Sequence, residues 1–391
     1  MLLPPYGENK IDCSGCTACQ HACPESSIVM QLDEEGFLYP IIDSDTCTSC
    51  EVCSSVCPII NPQENERRME TPDVYAAWHL APQVRGGSSS GGVFSAFADK
   101  VLSQNGVVFG ASFNEKLHLR HVGIETHDQL AALRGSKYLE SHIGDTFEQA
   151  EGLIKQGRYV LFTGTPCQIA GLYAYLQQDY ETLYTCDIFC HGVPSPKVFQ
   201  RHIEHIAEKH HSQVHNYRFR SKQYGWRPYG IQIDFASGKA LHMPGSLDPF
   251  TVSFLKDMFL RPVCSVCPFA TTNRVADVSI GDFWGIGKYH PELDDNKGIS
   301  TLLVNTPKGR ELLKVCRTDL FIQSFELNQV MQGALRRAYP PSPSRADFFV
   351  DLDQISYSRL KRKYMLNRKQ VIRYYAGRLK KRLVRLIRVI C

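Results

Sequence analysis

Two runs decide how this chain begins: Cys13-Ser14-Gly15-Cys16-Thr17-Ala18-Cys19-Gln20-His21-Ala22-Cys23-Pro24 and Cys47-Thr48-Ser49-Cys50-Glu51-Val52-Cys53-Ser54-Ser55-Val56-Cys57-Pro58. Each reads Cys-x-x-Cys-x-x-Cys-x-x-x-Cys-Pro, so the second repeats the first. Three thiols at this spacing wrap one face of a compact metal cluster. The fourth is displaced too far to close the same set, so it goes to the other cluster. The expected sets are Cys13, Cys16 and Cys19 with Cys57, and Cys47, Cys50 and Cys53 with Cys23. Structural zinc is the competing reading, but zinc favours two Cys-x-x-Cys pairs over a triple with a displaced fourth ligand. The prolines after Cys23 and Cys57 end each local turn.

This spacing is similar to that of bacterial two-cluster ferredoxins, and it implies two 4Fe-4S clusters within residues 1–61. Cysteines that serve as metal ligands argue for a reducing compartment and against a disulfide framework. No stretch reaches 18 uninterrupted apolar residues, and Met1–Lys10 lacks a basic segment followed by an apolar one. The expected location is the cytoplasm.

Residues 62–72 are polar and Pro-containing and read as a linker. From 73 to 340 strands and helices alternate. Strands are expected at Val74–Trp78, Val107–Phe113, Tyr159–Phe162, Val278–Ile280 and Thr301–Val304. Helices are expected at Gly91–Asn105, Asp145–Gln156, Pro166–Leu176 and Pro196–His210, and a hairpin joins Tyr229–Phe235 to Lys239–Met243 across Ser237-Gly238. This pattern predicts an α/β domain with a mainly parallel sheet and some antiparallel (α+β) additions. Pro340-Pro341-Ser342-Pro343 marks the next break, and 341–391 reads as a linker followed by a basic helical tail.

The α/β segment carries its own cysteines. Cys264-Ser265-Val266-Cys267-Pro268 is a Cys-x-x-Cys. Cys167 follows one strand and Cys190 ends the next, and the strand-end loops of a parallel sheet converge on one edge. Spacing alone leaves two readings: a third cluster, or two buried small hydrophobes at Cys167 and Cys190. Three small-residue stretches can approach phosphate: Arg85-Gly86-Gly87-Ser88-Ser89-Ser90-Gly91-Gly92 before a helix, Arg134-Gly135-Ser136-Lys137-Tyr138, and Thr163-Gly164-Thr165 at a strand-to-helix turn. Each alone is equally a capped or flexible loop. Clusters pass single electrons and most organic substrates take two. A flavin joins the two kinds of chemistry, so one is expected.

The succession Gly86–Gly92, Arg134–Tyr138, Gly164-Thr165-Pro166-Cys167-Gln168, Cys190-His191-Gly192-Val193-Pro194-Ser195, Cys264–Cys267 and Ile280-Gly281-Asp282-Phe283-Trp284-Gly285 resembles the family of coenzyme F-420 hydrogenase/dehydrogenase beta subunits. The resemblance spans about residues 72 to 340. It implies an FAD bound by the α/β domain, with a 4Fe-4S cluster beside it on Cys167, Cys190, Cys264 and Cys267, and Cys186 as a weaker substitute. The FAD contacts it implies are Ser88, Ser89, Ser90, Gly91, Gly92, Lys137, Tyr138, Thr163, Gly164 and Thr165. Members reduce or oxidise a deazaflavin coenzyme or a chlorophyll derivative, and bacterial members accompany polysaccharide-synthesis enzymes. The substrate therefore stays open.

Hydride transfer calls for a proton donor or acceptor. His191, Asp282 and Lys137 are the candidates. For His191 hydrogen bonding to cluster sulfurs competes, and for Asp282 a turn role competes. His202, His205, His210, His211 and His215 resemble a metal site, but a solvated helix face is the better reading. Residues 359–391 carry thirteen Lys and Arg and no acid, while the rest of the chain is net acidic. Cations interleaved with Leu, Val and Ile fit a helix lying on an anionic membrane surface. No base-reading motif accompanies them, so nucleic acid is not expected. The resulting expectation is an iron–sulfur flavoprotein oxidoreductase. It would exchange electrons with ferredoxin or another low-potential donor and hydride with an unidentified small substrate, one possibility being cell-envelope polysaccharide synthesis. The alternative is an electron-transfer subunit serving a partner enzyme.

Overall fold

The structure is a computed structural model and describes residues 9–62, 67–366, 371, 372, 374 and 376. The sequence repeat is also a backbone repeat. Gly15 (φ 70°) and Ser49 (φ 56°) occupy equivalent left-handed positions, and so do Thr17 (φ 66°) and Glu51 (φ 61°). Each of the latter pair opens a one-turn helix, Ala18–His21 or Val52–Ser55. Left-handed steps at non-glycine residues are uncommon. Here they turn the backbone inside each Cys triple. Between the runs, β1 (Ile28–Leu32) and β2 (Leu38–Ile42) form an antiparallel hairpin with Ile28 opposite Ile42.

Eleven further strands are β3 (Asp73–His79), β4 (Val107–Phe113), β5 (Leu119–Ile124), β6 (Val160–Gly164), β7 (Leu183–Ile188), β8 (Val214–Ser221), β9 (Gly230–Phe235), β10 (Ala240–Pro244), β11 (Val278–Asp282), β12 (Ser300–Val304) and β13 (Leu320–Ser324). Eight of them make one sheet in the order β13-β3-β12-β11-β7-β6-β4-β5. The central β4, β6, β7 and β11 run parallel, and antiparallel strands are added at both margins. Alternating side chains cover both faces. Val108 and Leu161 pack with the helices Val93–Ser103 and Pro307–Cys316. Val107, Phe109, Val160 and Phe162 pack with Thr146–Lys155 and Pro166–Leu176. Burial on both faces is the usual setting of parallel strands. β8, β9 and β10 form a second, antiparallel sheet under the helix Pro196–His210. The expected hairpin turns at Gly238, whose φ is 79°.

Two expectations need correction. Residues 345–366 do not begin a free tail. The helix Arg345–Gln354 and the turns after it bury Phe348, Leu352, Tyr357, Leu360 and Met365 in the core that contains Phe199, Phe250 and Phe259. Most of the basic segment, 367–391, lies outside the described residues. His202 is not on a solvated face either. It is 2% exposed, with Nδ1 2.7 Å from the Tyr357 hydroxyl and Nε2 3.1 Å from Asp248. Among the described residues no helix is long and apolar enough to cross a membrane.

The cysteine-rich segment is docked against the α/β domain. Arg345 forks onto Glu35, Lys197 donates to the Glu34 carbonyl at 2.8 Å, and Ser195 Oγ donates to the Glu35 carbonyl at 2.5 Å. Gly171 lets helix Pro166–Leu176 approach Cys16, since a Cβ there would lie 2.8 Å from the Cys16 Cβ.

Candidate cluster and cofactor sites

Cys13, Cys16, Cys19 and Cys57 line one small cavity together with Ser14, Gly15 and Met30. Burial and the mutual proximity of these thiols push Cys16 up to about 12 and raise Cys19 as well. Four thiols this close and this buried cannot all ionise unless cations neutralise them. Cys23, Cys47 and Cys53 form a second neighbourhood, in which Cys53 is raised by burial and by Cys23 and Cys47. The fourth expected member, Cys50, is exposed at the surface. Sulfur-directed donors are already in place: the Ser27 N–H lies 3.3 Å from Cys23 Sγ.

The third set also assembles. Cys167, Cys190, Cys264 and Cys267 line one cavity with Ser14, His191 and Arg261. Burial, then the neighbouring thiols, raise Cys190 well above its ordinary value. Burial also takes Cys264 to about 12 and Cys167 to about 11. The loops are tied by Arg274, which is 2% exposed. It donates to Asp187 (2.7 Å) and to the Ile188 carbonyl (2.9 Å) at the end of β7, and to the Phe269 carbonyl (3.0 Å) just after Cys267. Thr165 Oγ1 lies 3.1 Å from Cys167 Sγ, and the Val193 N–H lies 3.4 Å from Cys264 Sγ. Cys186 is separate, buried within β7. Among the described residues no group of three or more His, Cys, Asp or Glu side chains could hold a single metal ion. The thiols of the Cys13 and Cys167 sets each stand round a void.

The three small-residue stretches meet at one cavity of about 280 Å³. Its wall includes Ser88, Ser89, Ser90, Gly92, Lys137, Tyr138, Thr163, Gly164 and Thr165. Gly91 is the exception. It backs onto the sheet, its N–H donating to Ser300 Oγ at 3.0 Å. The serine loop is held before any ligand arrives: Lys222 donates to the Arg85 and Ser90 carbonyls, both at 2.6 Å, and Arg85 forks onto Asp295. Ser89 Oγ accepts from the Ser136 N–H at 2.7 Å, joining two of the stretches. Helix Val93–Ser103 begins at Gly92 with no side-chain cap, so its first N–H groups and its positive end open toward this cavity.

The candidate acid–base residues are scattered. Lys137 lines the large cavity. Its Nζ donates to the Leu133, Arg134 and Gly135 carbonyls at 3.0–3.3 Å, and burial pulls it down to about 7. Asp282 also lines it, held by Arg220 at 2.8 Å and by Trp226 Nε1 at 3.0 Å. His191 is instead at the third cysteine cavity, where its Nε2 is 2.8 Å from Asp257 and its ring lies against Tyr339.

Several wall residues escaped the sequence reading. Ser14 lines all three cavities and Cys167 lines two. Ser14 Oγ is buried without a hydrogen-bond partner. Buried His121 lines the large cavity. Burial depresses it to about 4, and its Nε2 lies 2.9 Å from the Thr163 carbonyl. Arg261 joins the cysteine-rich segment to the third cysteine loop. Its only sequence signal was its place three residues before Cys264.

Residues 12–59 match the model of a 4Fe-4S dicluster domain, so that segment is an iron–sulfur one. The chain is 24% identical over 337 residues, 83% of its own length and 49% of the relative's, to a "Coenzyme F420-dependent sulfite reductase" of Methanocaldococcus jannaschii. It is 21% identical over 170 residues, 40% of its length and 46% of the relative's, to one of the subunits of the F(420)H(2) dehydrogenase of Methanosarcina mazei. The chain thus spans about half the length of these curated relatives. A chain of the F420-reducing NiFe hydrogenase complex from Methanosarcina barkeri superposes with a TM-score of 0.46 at 18% identity, covering 75% of this chain and 93% of that one. Residues 74–146 and 157–329 match the N-terminal and C-terminal models of "Coenzyme F420 hydrogenase/dehydrogenase, beta subunit", and the chain belongs to that oxidoreductase family.

Proposed function

We propose that the chain is an iron–sulfur flavoprotein oxidoreductase. It exchanges single electrons with a low-potential protein partner such as ferredoxin and a hydride with a small substrate. One observation carries this reading. The cavity that gathers all three small-residue stretches shares Cys167 with the third cysteine set and Ser14 with both cysteine cavities. A flavin bound there supplies the conversion between one-electron and two-electron chemistry.

The residues present suit FAD. The uncapped N-terminus of Val93–Ser103 and the Ser89 hydroxyl, whose proton is not spent as those of Ser88 and Ser90 are on the Val84 and Ile299 carbonyls, suit a diphosphate. Lys137 adds a cation in the wall, and Tyr138 and Phe189 add aromatic surface. Cys167, Cys190, Cys264 and Cys267 suit a third 4Fe-4S cluster. Asp282, with its carboxylate held by Arg220, and Lys137 are the acid–base candidates that line this cavity. His191 serves the third cysteine set, with Asp257 fixing its ring. The exposed Cys50 marks the side from which a protein partner is met. The relatives' names carry F420 chemistry and not polysaccharide synthesis, so a reduced deazaflavin is the first substrate to test. A cytoplasmic location fits the cluster chemistry.

Anaerobic purification followed by iron and flavin counting tests the reading. About twelve irons and one FAD are expected, and about eight irons removes the third cluster. Protein that binds no FAD after anaerobic reconstitution overturns the flavin assignment. The second reading is an electron-transfer subunit without a substrate, and the half-length match to the relatives favours it. It is supported if a stoichiometric partner co-purifies and the isolated chain shows no turnover.

A further inference from the structure

Residues 9–62 contain one basic side chain other than histidine, Lys10, against eight carboxylates. Lys10 is committed to Asp33 at 2.8 Å and Glu34 at 2.6 Å. The cation that reaches the inner cysteines therefore comes from the other domain. Arg261 is 1% exposed and each of its three guanidinium nitrogens donates. Nε donates to the Cys13 carbonyl at 2.9 Å. One terminal nitrogen donates to the Leu38 carbonyl at 2.7 Å and faces Cys13 Sγ at 3.5 Å, and the other donates to Glu140 at 2.5 Å. The group lies over the Tyr39 ring at 4.1 Å. A Cβ on Gly15 would fall 2.7 Å from it, so the glycine is what admits it. From the same residue the backbone runs to the third set: the Cys264 N–H donates to the Arg261 carbonyl at 3.0 Å.

We propose that Arg261 is a positioning residue that raises the reduction potential of the cluster held by Cys13, Cys16, Cys19 and Cys57 above that of the exposed cluster. The proposal rests on the reading that these four cysteines hold a 4Fe-4S cluster. One-electron reduction of such a cluster adds one negative charge and breaks no bond. A fixed cation against a ligand sulfur, in a buried site where water screens little, favours the reduced form. Among the described residues no cationic side chain is hydrogen-bonded to Cys23, Cys47, Cys50 or Cys53, and Cys50 is open to solvent. The two clusters are then inequivalent although their ligand spacing is the same. Glu140 acts in the opposite sense, as the counter-charge to the guanidinium.

The test is an anaerobic dithionite titration of the full chain followed by EPR, with iron counted in every sample. Cys57→Ser identifies the inner cluster's signal by deleting it. At the ambient potential where the wild-type inner cluster is half reduced, Arg261→Gln is expected to lower its reduced-to-oxidised ratio at least tenfold. That corresponds to about 59 mV for one electron. The other signals are expected to move less, and Arg261→Lys to recover part of the shift. Glu140→Gln is expected to raise the same ratio, and it decides the matter if Arg261→Gln loses the inner irons. An unmoved inner signal in Arg261→Gln, an equal shift of all signals, or an unchanged or lowered ratio in Glu140→Gln overturns the proposal. A wild-type chain whose inner cysteines hold no iron overturns the underlying cluster reading instead.

Discussion

Gly91→Ala separates what lines the cavity proposed for FAD from what holds its wall in place. The backbone of Gly91 is pinned from both sides: its carbonyl accepts from the His79 N–H at 2.8 Å, and its N–H donates to Ser300 Oγ at 3.0 Å. A Cβ at this position would sit 2.3 Å from the Ala77 carbonyl oxygen and 2.9 Å from the Ser300 backbone nitrogen and Oγ. The first of these is backbone of β3, which pairs with β12 and β13 and cannot yield locally. The serine loop must instead move outward on the order of 1 Å, and overpacking of this kind costs about 1–3 kcal/mol. If that cost falls on the loop's bound position, FAD affinity drops roughly 5- to 150-fold. If it falls on the sheet, the melting temperature drops instead. Gly86→Ala, five positions earlier, is the matched control. Its Cβ meets no heavy atom within 4 Å, and it lies on the exposed end of helix Pro82–Gly87. There alanine gains up to about 1 kcal/mol of helix propensity. Titrating apo-flavin protein with FAD by fluorescence quenching, with a thermal melt and an iron count on each variant, reads both outcomes. The reasoning is refuted if Gly91→Ala matches wild type in affinity and melting, or if Gly86→Ala weakens FAD as much as Gly91→Ala does.

Cysteine replacements should sort by cavity. Cys57→Ser and Cys190→Ser each lose about four irons, whereas Cys186→Ser, inside β7, loses none, and iron missing from the last would undo the grouping. FAD affinity should fall as pH rises. Lys137 is depressed by burial to about 7. Above that pH the empty site has a neutral lysine that must take up a proton beside the anionic ligand, so affinity falls by up to about tenfold per unit between pH 7 and 9 and levels off below about 6. His121, depressed to about 4, stays neutral throughout and adds no slope. A flat profile from pH 6 to 9 contradicts a charged role for Lys137. We also expect the basic segment to bind anionic vesicles. A chain ended at Leu366 should lose that binding while keeping its iron and melting temperature, because the ordered core runs through Leu366; retained binding by the shortened chain excludes a membrane role for residues 367–391.

The limits of the sequence reading follow from where the information lies. The two ferredoxin-type runs are local, so the intervals of three and four residues expose each triple, while the exchange of the fourth cysteine between runs rests on the likeness to two-cluster ferredoxins. The helices Pro166–Leu176 and Pro196–His210 were equally legible, since a proline at the first position and an apolar stripe mark both. The strands β5, β8 and β13 were not. Each is half-buried and mixes charged or polar residues into its run, so tertiary pairing decides it. Residues 345–366 misled for a related reason. Arg345, Arg359, Lys361 and Lys363 give the segment a surface composition, yet Phe348, Leu352, Leu360 and Met365 fall on the face that packs inward. His202 shows the same blind spot for single residues. A helix wheel rich in Lys and Arg cannot reveal that Asp248 waits some forty residues away to hold one histidine.

For the third cysteine set the residues left two readings level and the family likeness tipped the balance, because no local interval relates Cys167, Cys190 and Cys264. What brings them together is charge burial. Asp187 and Arg274 are both removed from water, a costly arrangement unless each satisfies the other and the surrounding carbonyls. Meeting that condition fixes the end of β7 against the loop after Cys267 and leaves the thiols facing one void. Arg261 works between segments: paired with Glu140 inside the α/β domain, it also donates to the Cys13 and Leu38 carbonyls of the cysteine-rich segment. The ferredoxin-like segment is for that reason not an appended carrier. Ser14 and Gly15 form part of the large cavity's wall, and Ser14, whose Oγ has no hydrogen-bond partner in the protein, lines all three cavities. Removing residues 1–61 would take away part of that wall and open the Arg261–Glu140 pair to water. Hydrogen bonds from Arg261 to the Cys13 and Leu38 carbonyls and from the Leu38 N–H to Glu140, with the Arg345–Glu35 pair, thus bind the iron–sulfur segment to the α/β domain as one packed unit.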